Sequence, residues 1–145
     1  MYKHLLLPID GSDLSALAID QCMQFAKCMN AKVTGLHVSP EFNVITLQTE
    51  MVEDTREQFK KDSEAHAAQY LAAVKKAADE AGVLRDTIHV VGNQTHEAII
   101  SAARQNGCDV IVMASHGRSG LKGLLLGSVT QRVLAHTLIP VLVLR

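Results

Sequence analysis

Tryptophan is absent and aromatic residues make up only 3% of the chain. Few rings are available for stacking bases, which argues against a single-strand nucleic-acid binder. No charge of one sign prevails: 14 Lys and Arg stand against 15 Asp and Glu, a formal net charge of −1. No overall basic field exists to attract nucleic acid without sequence preference, although local basic clusters remain. The 3 cysteines, Cys22, Cys28 and Cys108, are an odd set without a C-x-x-C. They read as reduced thiols rather than as a disulfide framework or a zinc site. The 7 histidines are scattered, with no H-E-x-x-H and no grouping with the cysteines, which speaks against a structural metal centre. No apolar run reaches the roughly 18–20 residues of a membrane span. The stretch Met1 to Asp10 also lacks the long apolar region and cleavage site of a signal peptide. No membrane span is expected, and the cytoplasm is the expected compartment.

What is present is a chain of 145 residues with 48% hydrophobic and 20% charged residues. It is long enough to bury a core and is read as one domain, 1–145. Leu5-Leu6-Leu7-Pro8-Ile9 is a buried strand closed by the turn Asp10-Gly11-Ser12-Asp13. Leu14, Leu17, Ala18, Cys22, Phe25, Ala26 and Met29 recur at helical spacing, with Ser12 as N-cap and Asn30 as the stop. Lys32 to Val38 reads as a second strand, broken by Ser39-Pro40. Glu41 to Leu47 is irregular. A long helix from about Thr49 to Gly82 follows, charged in its first turns, with an apolar stripe over Ala65, Ala68, Leu71, Ala72, Ala78 and Ala81. Thr87 to Val91, Asp109 to Ala114 and Ile139 to Arg145 are the remaining strands. Helices run from Thr95 to Asn106 and from Ser128 onward. Strands alternating with helices imply a parallel α/β sheet, right-handed crossovers and helices on both faces.

The stretch from Ala114 to Gln131 carries the chemistry. It joins a buried strand to a helix and holds Gly117, Gly120, Gly123 and Gly127, which permit unusual backbone conformations and close approach of a ligand. Ser128-x-x-Gln131 has the form of a capping box and marks a helix start. Free N–H groups there, with the helix dipole, suit a phosphate. Arg118 and Lys122 add positive charge, and the hydroxyls of Ser128 and Thr130 could donate. The first helix is an internal control: Asp10 and Asp13 at its start would repel a phosphate. Asp10 instead suits ribose hydroxyls or a metal bound to phosphates. On these grounds alone a flexible loop ahead of a capped helix explains the glycines equally well. The loop contains neither G-K-[ST] nor G-x-G-x-x-G.

At these residues the sequence resembles the universal stress protein family, over essentially the whole chain, and in particular its ATP-binding subgroup. Lys3-His4-Leu5-Leu6-Leu7-Pro8-Ile9-Asp10-Gly11-Ser12 is similar to the family's first strand and turn. Ala114-x2-Gly117-x9-Gly127-Ser128 is similar to its G-x2-G-x9-G-[ST] signature, with Ala114 in place of the first glycine. Ile139-Pro140-Val141-Leu142-Val143-Leu144 is similar to its last strand. The resemblance implies a doubly wound, Rossmann-like open sheet of five parallel strands in the order 3-2-1-4-5. Asp10 and the Gly117 loop would then face one crevice. It also implies that Pro8, Ile9 and Asp10 flank adenine and ribose and that Val38 offers backbone groups to adenine. Met113, Ala114, His116, Gly117 and Arg118 would line the nucleotide, and Gly127, Ser128, Val129 and Thr130 would hold phosphates. ATP is the expected ligand, with Mg²⁺ bridging Asp10 and the phosphates. Alanine at position 114 is expected to be tolerated, because an extended backbone needs no glycine.

Other readings are weaker. His116 could act as an acid or base, but a positioned polar loop residue explains it more simply. No G-x-S-x-G elbow supports a hydrolase, and Val90-Val91-Gly92 lacks the strand-end Asp of a receiver domain. No convincing general base is visible, so any ATP hydrolysis should be slow. The segment Glu50 to Lys61 reads first as a solvated helix face and second as a partner site. The apolar edge Pro140 to Arg145 calls for a cover, and antiparallel pairing with a second copy would give a two-fold homodimer, as the resemblance also implies. A nucleotide-independent dimeric interaction module is the alternative, supported by Ala114. No residue identifies a further protein partner.

Overall fold

A computed structural model of the chain describes residues 1–43, 49–117 and 126–145, the side chains of 49–53 excepted. The order of elements is β1 (His4–Pro8), α1 (Asp13–Met29), β2 (Lys32–Ser39), α2 (Thr49–Ala81), β3 (Arg85–Val91), α3 (Thr95–Gln105), β4 (Val110–Ala114), α4 (Ser128–His136) and β5 (Val141–Leu144). The strands form one sheet in the order β3-β2-β1-β4-β5, and every pair is parallel. This is the expected five-stranded, doubly wound architecture.

The central strand explains the layering. Leu5, Leu6 and Leu7 are all fully buried, as a strand covered on both faces requires. Leu5 and Leu7 join Val33, Val110 and Val112 under α1 and α2. Leu6 joins Leu36, Ile111 and Met113 under α3 and α4. On the first face Gly35 allows α2 to come close, since a Cβ there would lie 2.9 Å from a methyl of Val74.

Local signals at the helix ends hold in part. Ser12 caps α1, its side chain accepting from Ser15 N at 3.2 Å. Asn30 ends the same helix in the left-handed region at φ 51°, a conformation Asn tolerates better than most residues. The seam of α2 is Ala67, Leu71, Val74 and Ala78, whereas Ala65, Ala68 and Ala72 of the expected stripe are exposed. Small alanines recur so often in this helix that the larger Leu71 and Val74 decide which stripe is buried. At 33 residues the helix is about 50 Å long, far longer than the strands it crosses, and in its N-terminal half Phe59 packs on Phe42 rather than on the sheet.

Strand limits shift for identifiable reasons. β3 begins at Arg85 rather than Thr87, because Arg85 and Asp86 pair with Val33 and Thr34 of β2. Their charges are satisfied at the edge by Asp79 and Lys32. β4 begins at Val110 because the Asp109 carboxylate accepts from the amides of Lys3 and His4 at 2.8 and 3.0 Å. β5 begins at Val141, since Ile139 N donates to Thr137 Oγ1 in the preceding turn. Cys22 and Cys108 are buried, Cys28 is exposed and all three are free thiols. Burial pushes the Cys22 thiol up to about 12 and that of Cys108 to about 11, so neither is a ready nucleophile.

Two histidines couple the fold to pH. Burial, reinforced by nearby Lys32, holds His4 below its ordinary value of 6.5, and its Nε2 is 2.7 Å from Thr34 Oγ1. Burial and the neighbouring His37 likewise lower His89, whose Nε2 meets Ser39 Oγ at 2.8 Å. A histidine depressed in the folded state contributes stability that is complete above its unfolded pKa. That stability is lost as pH falls from there through the folded pKa. The urea midpoint should therefore drop between about pH 7 and about pH 5, and a His4→Gln, His89→Gln double variant should flatten that slope. An unaltered slope in the double variant contradicts this assignment.

Candidate functional site

The strand order places the C-terminal ends of β1 and β4 side by side while the following helices leave to opposite faces. Open parallel sheets bind ligands at such a point. A cavity of about 340 Å³ opens there, lined by Pro8, Ile9, Asp10, Ser15, Leu36, Val38, Thr95, Ile99, Met113, Ala114, His116, Gly117, Gly127, Ser128, Val129 and Thr130. Every expected site residue within the described parts of the chain is among them. Arg118, Lys122, Gly120 and Gly123 lie outside the described residues. Ser15, Leu36, Thr95 and Ile99 were not anticipated. Leu36 and Ile99 carry only the periodicity of core residues, which signals burial but not proximity to a strand end.

One end of the cavity is apolar, with Leu36, Val38, Ile99 and Met113. The other end is the start of α4. Its first intrahelical bond is Gln131 N to Gly127 O at 3.0 Å. The N–H groups of Ser128, Val129 and Thr130 thus have no partner within the helix. The expected capping box does not form. Gly127 is the N-cap, at φ −69° and ψ 159°, and Ser128 is the first helical residue. Gln131 Nε2 turns to Leu126 O at 2.9 Å. The Thr130 hydroxyl is also engaged, donating to Ala114 O at 3.0 Å. Thr130 can therefore offer an incoming anion its backbone N–H, whereas its hydroxyl ties the helix to the end of β4.

Gly117 and Gly127 stand where a side chain would crowd its neighbours. Among the described residues, those with positive φ are Gly11, Gly82, Gly107 and Asn30, and neither Gly117 nor Gly127 is among them. A Cβ on Gly117 would collide with Asp10 Oδ2. A Cβ on Gly127 would come within 3.3 Å of His116 Cα and 3.4 Å of Ser115 O, where Gly127 N already donates to Ser115 O at 2.6 Å. Ala114 lies in β4, paired with Leu144 of β5, and its methyl group packs against the cluster under α1. The extended backbone carries no penalty for alanine.

The β1–α1 turn presents the acid. Asp10 Oδ1 accepts from Ser12 N at 3.0 Å, and Asp10 N donates to Ser15 Oγ at 3.3 Å. Across the cavity His116 Nδ1 is 2.9 Å from the hydroxyl of Ser115, which is 2% exposed. Among the described residues no group of three His, Cys, Asp or Glu could hold a metal ion. A cation at Asp10 thus needs oxygens from a bound ligand. No helix among the described residues is long and apolar enough to cross a membrane.

Fold and cavity together define a doubly wound α/β protein with a ligand site at its switch point, apolar at one end and anion-attracting at the other. The chain belongs to the universal stress protein family, whose model matches residues 1–145. It is 35% identical over 153 residues to universal stress protein YxiE of Bacillus subtilis (strain 168), with 100% of both chains covered. It is 31% identical over 156 residues to universal stress protein MJ0577 of Methanocaldococcus jannaschii, covering 100% of this chain and 96% of that one. The solved structure of MJ0577 matches with a TM-score of 0.85 at 34% identity, covering 99% of this chain and 96% of that one. A universal stress protein solved in complex with cAMP shares the fold, with a TM-score of 0.68 at 24% identity over 99% of this chain and 97% of that one.

The bond from Thr130 to Ala114 is open to a direct test. Thr130→Val should lower stability by about 1–2 kcal/mol, because a buried carbonyl loses its donor. Thr130→Ser should retain most of it. Urea unfolding of the three proteins checks this, and equal midpoints for Val and Thr contradict it.

Proposed function

We propose that this chain is an ATP-binding universal stress protein, one nucleotide-binding unit over 1–145, acting as a cytoplasmic homodimeric regulatory protein. The observation that carries this is the two-ended cavity. Leu36, Val38, Ile99 and Met113 offer a slot for a purine, and the start of α4 offers N–H groups for phosphates. Asp10 lies between β1 and the loop, where it would meet ribose hydroxyls or a Mg²⁺ carried by the phosphates. That single carboxylate fits a cation mostly ligated by phosphate and water. Such a cation would neutralise phosphate charge beside Asp10. The cAMP complex of a protein of the same fold supports an adenine nucleotide as the ligand class. ATP is favoured over a monophosphate because the N–H groups of Ser128, Val129 and Thr130, without partners in the helix, can meet more than one phosphate group at the start of α4.

Binding is favoured over rapid chemistry. Asp10 Oδ1 is held by the Ser12 amide and His116 Nδ1 by Ser115. Both polar groups thus carry structural hydrogen bonds, and any hydrolysis should be slow. The alternative of a nucleotide-independent module was motivated by Ala114, whose extended backbone removes that motive.

Denaturing freshly purified protein and chromatographing the released small molecules with mass detection tests the ligand. ATP should be released, or should bind on titration with Mg²⁺. A Gly117→Val, Gly127→Val double variant should lose at least about tenfold in affinity, roughly 1.4 kcal/mol. Full affinity in that variant, or a blank from wild type in both assays, refutes the reading.

The dimer is proposed at β5. This edge strand is half-buried throughout, and Leu138 beside it is 95% exposed. Pro140 O and Leu144 O accept from Ile111 N of β4 and from Ser115 N just past its end. In a parallel ladder the backbone groups of Val141 and Val143 therefore point outward. Antiparallel pairing of two copies would use them and cover the edge. Val143→Pro removes one outward N–H and leaves the β4 ladder intact. Sedimentation should show a dimer for wild type and a dissociation constant at least about tenfold higher for the variant. A monomeric wild type contradicts the assignment.

A further inference from the structure

We propose that His37, on the α2 face of the sheet and outside the cavity lining, is a positioning residue of the site and sets the location of Asp10. For its ligand the proposal rests on the nucleotide reading above; its mechanism rests on hydrogen-bond geometry alone.

His37 is not a lining residue of the cavity. Its neighbour Val38 is, because successive side chains of a strand alternate between faces. The His37 ring nonetheless reaches the backbone of the site. Its Nδ1 lies 2.9 Å from Ile9 O. A carbonyl only accepts, so Nδ1 carries the proton and the tautomer is fixed. Ile9 N donates in turn to Leu36 O at 2.8 Å. Ile9 is 6% exposed and lies just past the end of β1, where its carbonyl leaves the strand ladder. The imidazole thus supplies a donor to a buried carbonyl that would otherwise incur a desolvation penalty. Both polar groups of Ile9 are thereby held by β2, one by its backbone and one by its side chain.

Gly11, two residues on, is held from the same side. Gly11 has φ +80°, and a Cβ on it would fall inside the ring of Tyr70 of α2. Tyr70 packs edge-on against His37, with ring centroids 5.1 Å apart and planes at 68°. His37 in turn lies beside His89 of β3, centroids 6.0 Å apart and planes at 28°. The imidazole is therefore fixed by rings on two sides, and the peptide entering Asp10 is fixed by the imidazole. Asp10 itself touches Gly117 so closely that no Cβ fits between them. A small rotation of the Ile9–Asp10 peptide would move the carboxylate relative to the β4–α4 loop. Residues on the α2 face that do not line the cavity thus determine its geometry.

Asparagine places its amide N–H close to the position of an imidazole Nδ1–H, whereas leucine supplies no donor and glutamine sets its amide further out. His37→Leu and His37→Gln should each weaken binding of ATP with Mg²⁺ by about tenfold, while His37→Asn restores most of it. In an Asp10→Ala background the His37→Leu change should have almost no further effect, since the two act through one group. A general loosening of the fold would instead lower affinity equally in both backgrounds and would not be rescued by asparagine. Either of those results overturns the proposal.

A second measurement needs no nucleotide. ¹⁵N-resolved NMR of the wild type should show His37 as the Nδ1–H tautomer. The Asp10 amide resonance should move in His37→Gln and stay near its wild-type position in His37→Asn. An Nε2–H tautomer, or an Asp10 amide insensitive to His37→Gln, also overturns the proposal. If the wild type binds no ATP, the nucleotide reading fails alone, and the NMR result still decides whether His37 positions Asp10.

Discussion

The contact between Asp10 and Gly117 is the constraint on which the site depends. β1 and β4 are neighbours in the sheet, so the segments leaving their C-terminal ends compete for one volume. One of them brings a carboxylate and the other brings bare backbone. With any side chain at position 117 the two could not lie so close, and either the acid or the loop would have to give way. The cavity exists because the acid-bearing turn and the anion-attracting helix start are held a few ångströms apart without a wall between them. Such a juxtaposition suits a ligand with hydroxyls or a metal near one end of an anionic chain.

This constraint changes what the glycines mean. Glycine is usually justified by conformational freedom, and that holds for Gly11, at φ +80°. It does not hold for Gly117 and Gly127, which adopt ordinary backbone angles and are small because the Asp10 carboxylate and the Ser115–His116 backbone lie against them. Ala114 belongs to neither class. It is a strand residue paired with Leu144, and its methyl group faces the core under α1. A methyl at this position is compatible with the fold because the extended backbone of β4 carries no penalty for alanine.

The fold was largely legible because each level of the sequence agreed with the next. Leu5-Leu6-Leu7 signalled a buried strand, Ser12 and Asn30 bounded α1, and alternation of strands and helices implied parallel pairing. Element ends were less legible where polar residues pair at an edge, as Arg85 and Asp86 do with β2. Asp10, Gly117, Gly127, Ser128 and Thr130 of the cavity were legible because polar and glycine residues at strand ends stand out, whereas Pro8, Ile9, Val38, Met113 and Val129 were legible only through the family resemblance. Leu36 and Ile99 were not, because an apolar side chain on a cavity wall looks in sequence like one inside the core. Ser128-x-x-Gln131 misled in a related way. A capping box and a helix whose first residue is serine share the same letters, and the difference lies in whether Gly127 or Ser128 has the extended backbone.

The polar groups around the cavity differ in how far the protein itself uses them. The hydroxyl of Thr130 is committed to Ala114, Asp10 Oδ1 to Ser12 and His116 Nδ1 to Ser115. The amides at the start of α4 have no helical partner, and they are the groups whose direction a helix fixes most firmly. A site assembled this way recognises shape and charge through backbone, and it spends its side chains on holding that backbone in place. Recognition of this kind discriminates weakly among side-chain-sized differences in a ligand but strongly against anything that shifts the loop or the turn. Changes on the α2 face of the sheet can therefore be felt at the site, and the length of α2 beyond the sheet is of interest for the same reason. Tyr70, packed on Gly11 and edge-on to His37, belongs to that helix, so α2 is in direct contact with the turn bearing Asp10.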